Sequence, residues 1–247
     1  MSIKKGRVFS GARPTGRQHL GNYLGAIQNY VALQDEYECF YCIVDLHALT
    51  TVETTEELRQ NTYEMALDWL AAGIRPEETT VFIQSHVPQV TELHLYLSMV
   101  TPLGKLTDLP TFKEKVRQQP HNVNYGLLGY PVLMAADIMI FNAHKVPVGR
   151  DQIQHIEMAR DFGQRFNHVY GQDYFVLPEA VIDEQVATLP GLDGRKMSKS
   201  YDNTIPLFAP RDALKKLIAG ILTDSRAPGE PKDTEGSAVF QLYQAFA

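Results

Sequence analysis

Cysteine is scarce in this chain: of 247 residues, only Cys39 and Cys42 carry a thiol. With no second C-x-x-C pair, a four-cysteine zinc site and a disulfide framework are both excluded. The pair lies in CFYCIV, an apolar run that reads as a buried strand. Residues three apart on a strand point to opposite faces, so core packing is expected rather than a redox or metal pair. Positive charge is not in excess either: 23 Lys and Arg stand against 29 Asp and Glu, a net charge of −6. That argues against a generally basic nucleic-acid binder while leaving room for a local basic patch, and no DNA partner is expected. No apolar run reaches membrane-spanning length. The start, MSIKKGRVFSG, has positive charge but no apolar segment behind it. A cytoplasmic protein with no membrane partner is expected. Internal repeats at solenoid periods and low-complexity tracts are also missing.

The hydrophobic content of 44% and charged content of 21% are those of an ordinary globular protein. The length suits one large α/β domain plus part of another. The chain is organised around Arg7 to Gln34. Arg7 to Gly11 reads as a strand, and Ala12 to Gln18, with Pro14 and Gly16, reads as a loop. From His19 onward Leu20, Leu24, Ile27 and Val31 recur at helical spacing. A strand, loop and helix in this order aim free N–H groups and a helix dipole at the strand end, where a phosphate can sit. Gly21 has no side chain to block a close approach, and His19 and Asn22 can donate hydrogen bonds. Many α/β proteins use the same arrangement without a nucleotide. A second stretch sharpens the reading. Lys196-Met197-Ser198-Lys199-Ser200 lies in a Gly-rich, loop-like segment, and two lysines around small hydroxyl residues suit a polyphosphate.

Between these stretches strands and helices alternate. Glu38 to Val44 reads as a strand, Thr54 to Gly73 as a helix with a Thr54/Glu57 capping box, Thr80 to Gln84 as a strand and Val90 to Val100 as a helix. The alternation predicts an α/β fold with a doubly wound parallel sheet, which binds ligands at its strand C-terminal ends. Pro102 to Asn124 lacks clean periodicity and reads as solvated surface. Tyr130 to Phe141 predicts a helix with Pro131 in its first turn. Asp137 is the lone carboxylate among its apolar residues and needs a donor, either a local backbone amide or arginine, or a ligand. Met134, three residues earlier, shares its face. Lys145 to Val148 predicts a strand, and Gly149-Arg150-Asp151-Gln152 opens a helix ending before Gly171. Further on, Tyr174 to Leu177 predicts a strand, Val186 to Tyr201 a loop, Asp212 a cap for a helix over Ala213 to Leu222, and Ser237 to Ala247 an amphipathic helix.

HLGN (His19 to Asn22) and KMSKS (Lys196 to Ser200) resemble the two signature motifs of the class I aminoacyl-tRNA synthetases. CIVDLHALT (Cys42 to Thr50), YPVLMAADI (Tyr130 to Ile138) and VPVGRDQIQHIE (Val146 to Glu157) extend the likeness over almost the whole chain. Asn22 as the fourth motif residue is similar to the bacterial-type tryptophanyl branch. The resemblance implies a Rossmann-like catalytic domain over residues 1–205. It also implies the beginning of an α-helical, anticodon-binding domain over 206–247, with the rest of that domain absent. It implies that L-tryptophan and ATP, with Mg²⁺, give tryptophanyl-adenylate and pyrophosphate, and that the acyl group passes to the 3′ end of tRNA(Trp). A homodimer is implied as well, with no metal ligand from protein side chains.

By the same resemblance His19, Asn22, Lys196 and Lys199 are the catalytic residues gripping the triphosphate. Arg13, Pro14, Thr15, Gly21, Gly149, Arg150, Asp151, Leu189, Met197, Ser198 and Ser200 join them around ATP. Phe9, Tyr130, Met134, Asp137 and Gln152 surround tryptophan, and Lys113 and Lys115 stand near pyrophosphate. Arg13 and Arg150 depart from the Gln and Glu common in relatives. Rival readings are a tyrosyl enzyme of the same class, disfavoured by Met134, which cannot donate to a phenol; a catalytically weak tryptophan- or protein-binding paralogue; and another nucleotidyltransferase with an HxGH-type motif.

Overall fold

Five parallel strands form the centre of the molecule. The computed structural model describes residues 4–51, 54–182, 189–224, 226, 229–231 and 233–246. The strands are β1 (Arg7–Ala12), β2 (Glu38–Ile43), β3 (Thr80–Ile83), β4 (Lys145–Pro147) and β5 (Glu179–Val181). Their order is β3-β2-β1-β4-β5, with every pairing parallel. The chain winds outward from β1 to β3, crosses back, and winds the other way through β4 to β5. The predicted doubly wound sheet is therefore present, and its switch point lies between β1 and β4.

Both sheet faces are covered, which is why the strands read as near-continuous apolar runs. The helical segment α1 (20–33) is α-helical over Leu20–Asn22, π-helical over Tyr23–Ile27 and α-helical again over Gln28–Leu33. It is followed by α2 (Asp45–Ala48), α3 (Thr55–Ala71) and α4 (Gln89–Val100). On one face Val8, Cys39, Tyr41 and Ile43 pack with Ile27 and Tyr30 of α1 and Met65 and Trp69 of α3. On the other, Phe9 and Cys42 pack with Val90 and Leu97 of α4 and with two later helices. Cys39 and Cys42 thus point to opposite faces, each buried and free, as the strand period predicts.

The later helices are α5 (Leu103–Thr107), α6 (Pro110–Gln118), α7 (Tyr125–Met139) and α8 (Ile153–Tyr170). The stretch without clean periodicity, 102–124, is therefore helical over two short pieces. Each has too few turns for an apolar stripe to repeat. Pro131 does not start its helix. It stands seven residues into α7, whose N-cap is Asn124, with Oδ1 accepting from the backbone N–H of Leu127 at 3.1 Å. α8 follows a 3-10 turn at Arg150–Gln152 and stops at Gly171, whose φ of 67° suits glycine.

Tyr174 to Leu177 is not a strand; the strand lies a few residues on, at β5. Asn167 fixes this stretch as a loop, accepting from the N–H groups of Tyr174 (3.0 Å) and Phe175 (3.1 Å). The last helices are α9 (Arg211–Ala219) and α10 (Ala238–Gln244). Pro210, not Asp212, stands at the N-cap of α9, and Asp212 lies inside its first turn. Ser237 does cap α10. Leu189, Met197 and Ile205 join Ile221, Ala238 and Leu242 in a third core, which rests on Leu20 and Leu24 of α1. Residues 183–188, including the first part of the predicted Val186 to Tyr201 loop, lie outside the described residues, as do Ala247 and the side chain of Asp151. Among the described residues no helix is long and apolar enough to cross a membrane.

Candidate active site

A cavity of about 550 Å³ opens at the C-terminal ends of β1 and β4. Phe9, Ser10 and Gly11 bring β1 to it, and Arg13 follows on the loop. Gly25 and Asn29 line it from α1, where the π-helical turn lies. Such turns recur at functional sites. From α7 come Tyr130, Met134 and Asp137; from the end of β4 come Gly149, Arg150 and Gln152; Lys196 reaches it from the KMSKS segment. The switch point thus brings Phe9 of β1 and Lys196 of the KMSKS segment, nearly 190 positions apart, to one cavity. Every residue expected around tryptophan lines this one cavity, as do Arg13, Gly149, Arg150 and Lys196.

Asp137 is 2% exposed, and its carboxylate has protein partners that sequence reasoning missed. Nε2 of His47 lies 2.9 Å from Oδ2, and Nε2 of Gln84 lies 2.8 Å from Oδ1 and 2.9 Å from Oδ2. The donor is therefore neither a backbone amide nor an arginine. Because a carboxylate only accepts, His47 carries its proton on Nε2. Its Nδ1 has no hydrogen-bond partner among the described residues. His47 was within reach, since it lies in the CIVDLHALT stretch. Gln84 gave no signal beyond ending a strand. Met134 stands one helical turn before Asp137, as the spacing predicts. The ring of Tyr130 lies 4.3 Å from that of His47, with Nζ of Lys115 4.1 Å above it. Burial, then the nearby Arg13, lowers the Lys115 amine below its ordinary value. Lys113 is not brought to the cavity; it is exposed and paired with Asp108 at 3.0 Å.

The other half of the site is a seam between the loop after β1 and the KMSKS segment. His19 is buried, and Nδ1 has no partner among the described residues. Its backbone N–H donates to Oδ1 of Asn22 at 3.1 Å, so Asn22 is held by the start of α1. Burial and, secondarily, Lys199 lower the His19 pKa to about 4. Gly21 has a local reason to be glycine: a Cβ there would stand 3.1 Å from the His19 ring. Nζ of Lys199 donates to the carbonyl of Gly16 at 2.8 Å. Burial lowers the Lys199 amine, while Asp68 pulls the other way. Asp68, on α3, accepts from the N–H of Gln18 at 3.1 Å and so ties α3 to the same loop. Pro14 in that loop is buried, and Thr15 is exposed.

Asn203 organises the KMSKS segment and was also missed. It is 2% exposed. Oδ1 accepts from the N–H of Ser198 (2.8 Å), and Nδ2 donates to Asp193 (2.7 Å) and to the carbonyl of Lys196 (3.1 Å). Met197 turns inward to the third core, and its N–H donates to the carbonyl of Leu189 at 2.8 Å. Ser198 caps the turn at Lys199–Tyr201, accepting from Ser200 N–H at 3.3 Å. Lys196 and Lys199 are thereby presented from a segment whose apolar members are anchored. Among the described residues no group of three or more His, Cys, Asp or Glu side chains is placed to hold a metal ion.

The family model described as tRNA synthetases class I (W and Y) matches residues 2–244. The chain belongs to this family. The tryptophan–tRNA ligase of Xanthomonas campestris pv. campestris is 60% identical over 98% of this chain and 58% of its own length. That of Pseudomonas aeruginosa is 52% identical over 98% of this chain and 56% of its own length. The chain therefore spans somewhat more than half the length of these curated relatives. Among solved structures, tryptophanyl-tRNA synthetase from Campylobacter jejuni, complexed with ADP and tryptophan, superposes with a TM-score of 0.91. It is 44% identical and covers 98% of this chain and 75% of its own. A tyrosyl-tRNA synthetase from Archaeoglobus fulgidus, 21% identical with a TM-score of 0.75, shares the fold. The Rossmann-like class I architecture implied by HLGN and KMSKS is thus the observed one.

Proposed function

We propose that this chain activates L-tryptophan with ATP, as the adenylate-forming part of a tryptophan–tRNA ligase. The observation that carries the reading is Asp137, a buried acceptor in the cavity wall with Met134 one turn away and aromatic walls at Phe9 and Tyr130. An indole is a large apolar body with a single N–H, and the cavity holds the Asp137 carboxylate together with the apolar surfaces of Phe9, Tyr130 and Met134. Met134 offers no donor to a phenol hydroxyl. The identity to two tryptophan–tRNA ligases supports the same choice.

In this reading an oxygen of the tryptophan carboxylate attacks the α-phosphorus of ATP. The bond from that phosphorus to the β-phosphate oxygen breaks, and pyrophosphate leaves. Gln152 holds the amino group. Gly149 and Asp151 are assigned to the ribose, with Arg150 between them in sequence. The main chain of Leu189 meets adenine. His19 and Asn22 hold the triphosphate from the α1 side, with Gly21 between them and Arg13, Pro14 and Thr15 on the preceding loop. Lys196 and Lys199 close from the other side with Met197, Ser198 and Ser200, and Lys115 waits near the departing pyrophosphate. Catalysis is positioning and charge stabilisation, with no protein nucleophile. Mg²⁺ would neutralise phosphate charge from the phosphate oxygens.

Transfer to the 3′ end of tRNA(Trp) completes the reaction of the whole ligase. Residues 206–247 are read as the beginning of its helical domain; Ile221, Ala238 and Leu242 of this part pack with Leu189, Met197 and Ile205 of the catalytic part in one core. A homodimer is supported by exposed Leu95, Tyr96 and Met99 on α4. A cytoplasmic location follows from the reaction.

The test is ATP–pyrophosphate exchange with tryptophan and with tyrosine. Exchange with tryptophan only is the expected result. Exchange with tyrosine would overturn the Asp137–Met134 reading. Tryptophan binding without exchange would favour a binding paralogue.

A further inference from the structure

Gln84 opens a 3-10 turn after β3 and is fully enclosed, with 0% exposure. Nothing in the reading above gives it a role. Its amide nitrogen faces both oxygens of Asp137, at 2.8 and 2.9 Å. Its amide oxygen accepts from the N–H groups of Leu46 (3.1 Å) and His47 (3.4 Å). The amide therefore has one orientation. Turned over, it would set its oxygen against the carboxylate and its NH₂ against two N–H donors. Asp137 is in turn fixed in plane. An ionised carboxylate has about four acceptor positions. Oδ2 takes two donors, Gln84 and His47, while Oδ1 takes one, Gln84. Among the described residues that leaves one position, on Oδ1.

We infer that Gln84 is a positioning residue for tryptophan selection, acting through Asp137. By filling and aiming the carboxylate it leaves room for one ring N–H and no second donor. Without Gln84, the carboxylate can rotate and accept from water. An analogue lacking the N–H then no longer leaves a buried acceptor bare, so it is no longer rejected. This inference rests on the tryptophan reading, and its test separates the two.

The experiment is ATP–pyrophosphate exchange with L-tryptophan and with β-(3-benzothienyl)-L-alanine, in which sulfur replaces the ring N–H. The readout is the ratio of the two kcat/KM values, in the parent protein and in Gln84→Met. Gln84→Ala, which gives water access to the Leu46 and His47 N–H groups, is the second variant should the first not fold. We expect the parent to prefer tryptophan by about 100-fold or more, and the variant ratio to fall at least tenfold with the ATP KM unmoved. A variant that loses activity equally on both amino acids has only a structural defect, and that result overturns the inference while leaving the tryptophan reading intact. A parent that activates tryptophan and its analogue equally shows that Asp137 reads no N–H, and overturns both.

Discussion

Asn203→Ala isolates the anchoring of the KMSKS segment from everything else in the site. The side chain holds Ser198, Asp193 and Lys196 through three hydrogen bonds of 2.7 to 3.1 Å. Each is worth about 1 kcal/mol net, the one to the Asp193 carboxylate somewhat more. Water replaces part of that in the half-buried segment, so the local loss is about 2–3 kcal/mol. At about 1.4 kcal/mol per tenfold, the opening equilibrium of the segment shifts roughly 30- to 140-fold. Global stability should move less, because the two sheet cores do not contain Asn203. Trypsin reads the opening directly, since Arg195, Lys196 and Lys199 all lie in the segment. Cleavage there tracks the open population when reclosing is fast. We expect cleavage to accelerate at least tenfold and pyrophosphate exchange to slow, with the tryptophan KM unchanged. Cleavage within about threefold of the parent rate, with exchange unaltered, would refute the view that this asparagine holds the lysines in place.

Three other outcomes follow from the site. Asp137→Asn should raise the tryptophan KM roughly tenfold to 100-fold, the cost of one buried charge-assisted hydrogen bond, without changing the ATP KM; an unchanged tryptophan KM would remove Asp137 from the pocket. Lys199→Ala should slow adenylate formation far more than it weakens tryptophan binding, and equal losses would count against a role in the transition state. The third concerns His19, whose pKa is lowered from 6.5 to about 4, by burial first and Lys199 second. Between those values the unfolded chain binds a proton that the folded chain refuses. Stability from this residue is therefore intact above pH 6.5 and is lost as pH falls toward 4. His19→Asn should shrink the drop in Tm between pH 7 and pH 5; an identical drop would show that His19 is not the group responsible.

The fold was legible where periodicity ran long enough. Leu20, Leu24, Ile27 and Val31 mark α1, and the Thr54 cap and apolar spacing mark α3. It failed at short elements and at proline. α5 and α6 are too short for a repeat to show, and Pro131 sits inside a helix whose true start, at Asn124, lies in a polar stretch. The site divides in the same way. The residues named around tryptophan meet in one cavity because their motifs fall at strand ends and on one helix face. Gln84, His47 and Asn203 escaped because their roles are contacts across the fold. Gln84 and Asp137 are 53 positions apart, and no local pattern marks an amide that satisfies a distant carboxylate. Gly21 shows the reverse: its absence of a side chain was legible, but the ring it makes room for is that of its own neighbour, His19.

The two halves of the site are anchored in different ways, and the difference matches what each is proposed to do. Asp137 is held by Gln84 and His47, all three at most 3% exposed, and its helix is packed into the large sheet core. A selectivity determinant needs that, since a carboxylate free to turn would accept from any donor. Lys196 and Lys199 stand instead on a segment whose apolar anchors, Leu189, Met197 and Ile205, belong to the third core, shared with Ile221, Ala238 and Leu242 and resting on Leu20 and Leu24 of α1. In that segment Lys199 is held by a carbonyl, that of Gly16, and among the described residues not by a direct carboxylate contact. A neutral oxygen holds an ammonium less tightly than a phosphate does. In the proposed reaction an arriving triphosphate would draw Lys199 away from Gly16 while Asp137 stays held by Gln84 and His47. Asn203, bonded to Ser198 and to the carbonyl of Lys196, keeps both lysines in register.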